Sequence, residues 1–402
     1  MNKIFIVIAT IFFVISFIII GDKLNAEKKK DEDSGVSNIN SEVRAMYISY
    51  IELQEHIRDS KNNDDSKNNI TEMLDNIKSL DFNWIILHVR SHSDAIYKSD
   101  IFPWSANVSG EEGKDPGYDV LQFFIDEAHK RDIKLHAWIN PYRIRSYVNT
   151  ETISALNPAY KMLDTRNVGV IEGRGIWYNP ASGEVRELIV DGIKELILNY
   201  DIDGVHFDDY FYPDQEIDKV EYDNYKNNGG DMSVSQYRLN NVSLLIKEVY
   251  SAIKEINPNI LFGIAPEGNI DNNYSSNYID TKMMLSEIGY LDYIMPQIYY
   301  GFFNESRPFI DTVNMWNSLI KVENIELIPA LAFYKVGTID NYARSGDKEW
   351  TNSDDIIMKQ ILISRYMSKY NGFSIFSYNY VFEEKFTNEV TFRELNNLKK
   401  AL

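Results

Sequence analysis

The chain has 402 residues, with 41 Lys and Arg against 60 Asp and Glu, giving a formal net charge of −19. That length suits one large barrel or two ordinary domains, and 44% hydrophobic with 25% charged residues excludes a disordered or fibrous chain. The absence of cysteine excludes disulfides, thiolate metal sites and a cysteine nucleophile, and the acidic balance argues against a nucleic-acid partner.

In chain order, Ile4 to Ile20 come first, an apolar run broken only by Thr10 and Ser16 and preceded by Lys3. Residues 1–22 read as a signal or anchor segment, with an uncleaved membrane anchor favoured over removal after export. Either way the rest lies outside the cytoplasm, membrane-anchored or secreted, with 23–40 as a polar tether and 41–402 as the catalytic domain. Strand patterns follow at Val43–Ser49, Asn83–Val89, Ile133–Ile139, Ile202–Phe207, Ile260–Ala265, Leu291–Gln297, Ile325–Ala330 and Gly372–Ser377. Helical patterns lie between or after them, at Thr71–Leu80, Tyr118–Arg131, Glu184–Asn199, Tyr237–Ile256, Ile356–Tyr370 and Phe392–Leu402. Eight strand–helix units in a row predict an α/β fold, a closed (β/α)8 TIM-type barrel. No Gly-rich phosphate loop supports the open, doubly wound alternative. Residues 58–70, with Ser-Lys-Asn-Asn twice, read as a mobile surface loop, and 214–235 as an insertion after the fourth strand. Insertions after barrel strands decorate the C-terminal face, where barrel active sites sit.

The densest chemistry is the run Asp203-Gly204-Val205-His206-Phe207-Asp208-Asp209-Tyr210-Phe211-Tyr212-Pro213. Side chains alternate along a strand, so His206 and Asp208 share the face opposite Phe207 and point into the barrel. A carboxylate at a strand end, a second beside it and three aromatics suit glycoside hydrolysis. That reaction needs one carboxylate at the anomeric carbon and a protonated group at the leaving oxygen. The fifth strand ends with Glu267, a candidate partner in acid–base chemistry. On the third strand His136, Trp138 and Asn140 share one parity and Arg143 follows, a set able to stack on a sugar and bond its hydroxyls. On the second, His88 and Arg90 alternate inward before His92 and Asp94, and Gln297 and Tyr299 share a face at the sixth. His88, His136, His206 and Asp208 could converge on a metal, but no recognised ligand spacing supports it, and no cofactor or metal is expected.

These residues resemble the bacterial glycosyl hydrolase-like 10 domain from about Val43 to Tyr300. The likeness rests on Arg44-Ala45-Met46-Tyr47, Asp94-Ala95-Ile96-Tyr97, Phe102-Pro103-Trp104-Ser105, Asp115-Pro116-Gly117-Tyr118-Asp119, the segment from His136 to Arg143, Asn179-Pro180 with Glu184-Val185-Arg186, Asp203–Pro213 and Met295-Pro296-Gln297. The resemblance implies an envelope barrel acting on glycan, with peptidoglycan strands lacking stem peptides as substrate. It maps the family's strand-four aspartate onto Asp208 with Asp209 beside it, and it leaves the proton donor open among Glu267, Asp209 and Asp94. A fainter likeness to chitinase-type barrels fails at the key positions, where His206 replaces an Asp and Tyr210 the catalytic Glu.

The expected function is therefore an envelope glycoside hydrolase cleaving amino-sugar polysaccharide. Asp208, Glu267 and Asp209 are the candidate catalytic residues. Arg90, His92, Asp94, His136, Trp138, Asn140, Arg143, His206, Tyr210, Gln297 and Tyr299 are the candidates for binding the sugar. The alternatives are a non-catalytic cell-wall glycan-binding barrel and a metal-dependent polysaccharide deacetylase. Oligomeric state has no signature in the sequence.

Overall fold

Eight parallel strands follow one another around a barrel in the computed structural model, which describes residues 42–402; the expected N-terminal segment and its tether lie outside the described residues. The strands are β1 (Val43–Ile48), β2 (Trp84–Arg90), β3 (Lys134–Ile139), β4 (Gly204–Phe207), β5 (Leu261–Ile264), β6 (Tyr293–Ile294), β7 (Glu326–Leu327 with Ala330–Ala332) and β8 (Gly372–Phe376). Each pairs with its sequence neighbour, and β8 returns to β1 with Gly372 beside Val43. The sequence expectation of one unbroken seventh strand needs correction. Pro329 has no N–H to donate, and it splits β7 into a half paired with β6 and a half paired with β8. The Pro329 carbonyl still accepts the Ser374 N–H at 3.0 Å, so the barrel closes across the break.

The strand residues divide by parity, as a closed barrel demands. Val205, Phe207, Leu87 and Ile264 join the apolar layer beneath the outer helices, whereas Ala45, Tyr47, Trp84, Trp138, Tyr293 and Met295 fill the interior. Two inward positions are glycines because rings occupy their space. A Cβ on Gly204 would lie 2.2 Å from the His136 ring, and one on Gly263 would lie 2.2 Å from Tyr293.

Polar rings in the interior are satisfied in one consistent order. His136 Nδ1 and His206 Nδ1 each lie 3.0 Å from the Tyr293 hydroxyl, and His206 Nε2 lies 3.0 Å from the Tyr47 hydroxyl. Tyr47 in turn donates to the Met295 sulfur at 3.1 Å. One assignment serves all four contacts: His136 donates to Tyr293, Tyr293 to His206, His206 to Tyr47 and Tyr47 to Met295. It requires the His206 imidazole to be neutral, because one of its nitrogens accepts while the other donates. Burial drives the His136 pKa well below its ordinary value and lowers that of His206 to about 3.

Three segments differ from expectation. Residues 58–70 are not all loop, because helix α1 (Asn63–Ser79) begins there. Asn62 caps it by accepting the Asp65 N–H at 2.9 Å, Asp64 and Asp65 suit its positive end, and the repeated polar residues form its wet face. Residues 214–235 contain a short helix, Lys219–Asn227, docked by the buried pair of Asp218 and Arg238 at 2.8 Å. Between β3 and the barrel helix α2 (Gly183–Asn199), Arg143–Arg145, Val168–Ile171 and Gly175–Tyr178 form an antiparallel sheet that the sequence pattern did not reveal.

Replacing Gly204 by Ala should lower stability by about 2 kcal/mol through overpacking against His136. An unchanged urea midpoint would contradict this account of the interior.

Candidate active site

Trp138, one inward step above His136 on β3, sets the floor of the site. Its indole N–H donates to Asp208 Oδ2 at 3.0 Å and to Asn140 Oδ1 at 3.1 Å, and its ring stacks on His88 at 3.7 Å with planes 9° apart. Asp208 follows the last residue of β4, so parity carries it inward, and the Tyr210 N–H donates to its Oδ1 at 3.1 Å. Asp209 turns the other way along the rim. Gln297 Nε2 donates to its Oδ1 at 3.0 Å and also to the Ala265 carbonyl at 2.8 Å, which ties the rim of β4 to β5 and β6.

Two cavities meet here. The first, of about 250 Å³, lies over the barrel mouth between Trp138, Tyr47, Tyr50, Tyr299 and Phe376, with Asp208 and Asp209 in its wall. The second, of about 380 Å³, lies under the inserted sheet between Trp177, Arg174, Glu267 and Asn277. Arg143, Asp209 and Tyr210 line both. Arg143 donates from Nε to the Ser91 carbonyl at 3.0 Å and lies 4.7 Å from the Tyr210 ring centre. Tyr210 stacks on Trp177 with centroids 6.1 Å apart.

Burial and the neighbouring Asp209 charge raise the Asp208 pKa, against the pull of Arg143 and its two hydrogen bonds. Burial also raises Asp209, helped by the charge of Glu267 and opposed by the bond from Gln297. Two adjacent carboxyls in a low-dielectric site do not both ionise readily, so the pair retains a proton towards neutral pH. His88 is pushed well below its ordinary value by burial and by Arg143, so it faces the cavity as a neutral ring.

The structure brings together Asp208, Asp209, Trp138, Asn140, Arg143, Tyr210, Gln297 and Tyr299 on the first cavity and places Glu267 on the second. Both Glu267 oxygens accept side-chain amide donors at 3.0 Å, from Asn272 and Asn277. Five expected residues line neither cavity. His136 and His206 have the right parity but lie too deep in the barrel. A register shift between His88 and Arg90 turns Arg90 outward, where it lies 4.2 Å from the Phe102 ring beside Gly192 of α2. His92 bonds the Ser146 hydroxyl at 2.8 Å and braces the edge of Tyr50. Asp94 is buried 3.8 Å from Arg145, with its pKa raised to about 6 chiefly by that burial. Tyr47, Tyr50, Phe376, Arg174 and Trp177 were not expected at the site. Tyr47 had the signal, an inward position on β1, whereas Arg174 and Trp177 belong to the unforeseen sheet. Among the described residues no three His, Asp or Glu side chains are grouped to hold a metal ion.

A paired acid at the C-terminal rim of a parallel barrel, set among sugar-sized aromatic walls, is the equipment of a glycoside hydrolase. Residues 42–352 match the family described as glycosyl hydrolase-like 10, and the chain belongs to that family. It is 32% identical over 358 residues to glycosyl hydrolase YngK of Bacillus subtilis (strain 168), covering 84% of this chain and 68% of that protein. It is 35% identical over 286 residues to glycosyl hydrolase DigH of Escherichia coli (strain K12), covering 66% of this chain and 65% of that one. The matched region is thus about two thirds of each relative's length. In fold it is similar to the PgaB (BpsB) glycoside hydrolase domain from Bordetella bronchiseptica, with TM-score 0.53, 11% identity and coverage of 83% of this chain and 92% of that one. It is also similar to the endo-1,4-beta-mannanase of Rhizomucor miehei, with TM-score 0.54, 11% identity and coverage of 91% and 96%. The protein is a glycoside hydrolase on a TIM barrel.

An acid whose pKa rises on folding contributes stability that is lost as pH climbs from its unfolded value to its folded one. Stability should therefore fall as pH climbs above about 4 and the Asp208–Asp209 pair gives up the proton it retains, and Asp208→Asn should flatten that slope. Thermal unfolding midpoints across this range would check it, and an unchanged slope in the variant would refute the raised pKa.

Proposed function

We propose that the protein cleaves amino-sugar glycan at the cell envelope, with peptidoglycan strands lacking stem peptides as its substrate. The observation that carries the chemistry is the Asp208–Asp209 pair, buried enough to hold a proton yet opening on two cavities. Asp208 lines only the barrel cavity and is fixed by two N–H donors, which suits the carboxylate facing the anomeric carbon of the sugar held there when the one proton that the pair retains sits on Asp209. Asp209 lines both cavities and so reaches the oxygen between one sugar and the next, where the proton is delivered. Glu267 acts through its charge, which raises the Asp209 pKa. Trp138, Tyr50, Tyr210 and Tyr299 present rings for a sugar face, and Asn140, Arg143 and Gln297 present donors for its oxygens. The envelope location is supported by the apolar run Ile4–Ile20; among the described residues no helix is long and apolar enough to cross a membrane.

The test is to incubate the protein with purified glycan strands lacking stem peptides and to assay new reducing ends. Asp208→Asn should cut the rate by at least about a hundredfold while leaving the folded spectrum intact. Equal rates would remove Asp208 from the mechanism, and strands retained but uncut by the unmodified protein would make it a glycan binder.

A further inference from the structure

Cationic side chains are scarce in this chain, since carboxylates outnumber Lys and Arg by 60 to 41. Many arginines are taken up by acids, as Arg131 is by Asp75 and Glu127, Arg186 by Glu248 and Arg238 by Asp218. The second cavity departs from this. It is lined by two guanidinium groups, Arg143 and Arg174; neither lies within ion-pair distance of a carboxylate among the described residues, although Arg143 acts through its charge on Asp208 and Asp209. Glu267 shares the cavity, but both its oxygens are occupied by Asn272 and Asn277.

Arg174 is held in place rather than left to wander. It lies in the turn between Val168–Ile171 and Gly175–Tyr178, where Gly173 (φ 72°) and Gly175 (φ 98°) take left-handed conformations. A side chain on Gly175 would strike the Arg145 carbonyl at 2.1 Å, so this turn can hardly be built otherwise. The Trp177 indole N–H donates to the Arg174 carbonyl at 2.8 Å, and Arg174 Nη1 donates to the Pro213 carbonyl at 2.5 Å. The guanidinium is thus tethered from the inserted sheet to the loop after β4, with the Trp177–Tyr210 stack beside it. A tethered guanidinium keeps its remaining N–H groups in a planar fork, the geometry that suits a carboxylate.

We propose that the second cavity receives the sugar on the leaving side of the scissile bond, and that Arg174, with Arg143, recognises a carboxylate substituent on that sugar. The assignment rests on the glycan-hydrolase reading above and adds to it a chemical preference, for acidic over neutral strands. A glycan sugar whose acidic side arm has been freed of peptide carries such a carboxylate, whereas an amide-linked arm does not.

The test compares kcat/KM on two substrates, peptide-free peptidoglycan strands and the same strands with their carboxyl groups reduced to alcohols. The unmodified protein should favour the acidic strands by about tenfold, the scale of one charge-assisted hydrogen bond. In Arg174→Gln the ratio should fall towards one, and in Arg174→Lys it should remain intermediate, because charge survives but the fork does not. Each ratio is taken within one variant, so partial loss of folded protein cancels. Rising salt should shrink the ratio in the unmodified protein. An unmodified protein that cuts both substrates equally, or an Arg174→Gln variant that keeps the full preference, overturns the carboxylate site while leaving the glycosidase standing. Failure to release reducing ends from either substrate overturns the glycan reading and this inference with it.

Discussion

The bond from the Trp138 indole to Asp208 is the contact on which the site depends. An ionised carboxylate buried at a barrel rim is costly unless donors reach it, and Trp138 supplies one from the next strand. The indole can do so only because its ring is held by β1 and β2. His88 lies flat against it, Tyr47 meets its edge at 5.3 Å, and Asn140 takes the other half of its N–H. Below this layer Gly204 and Gly263 admit the His136 and Tyr293 rings, which support Tyr47 through His206. Packing at the barrel's centre is thereby passed upward, layer by layer, to the orientation of one carboxyl group.

The parity of β4 was legible in the sequence because Val205 and Phe207 are apolar and His206 and Asp208 are not. Parity names a face but not a depth. Two residues along a strand amount to roughly 6.6 Å, and that interval separates His136 from Trp138 and His206 from Asp208. The deeper member of each pair is sealed in the interior while the upper one reaches the cavity. Arg90 fails for a different reason, since one register irregularity after His88 undoes the alternation that its position relies on. No periodicity announces such a bulge.

Other features left weaker traces. The first turns of α1 carry Asn, Asp, Ser and Lys, a composition shared with loops, and only the cap at Asn62 and the buried Ser66 and Ile70 distinguish them. The inserted sheet has strands of three or four residues, too short for alternation to register. Yet that sheet and its turn bring Arg143, Arg174 and Trp177 to the second cavity. Barrel cores are repetitive and readable, whereas the loops that set specificity obey local geometry.

The row of bonds inside the barrel has a consequence for proton traffic. It runs from His136 to the Met295 thioether, which accepts from Tyr47 and has no proton to pass on. A row that ends on a thioether carries no proton onward through that end. The acid at Asp208 and Asp209 is not served by this row, and the two cavities it lines are where glycan and bulk water reach it.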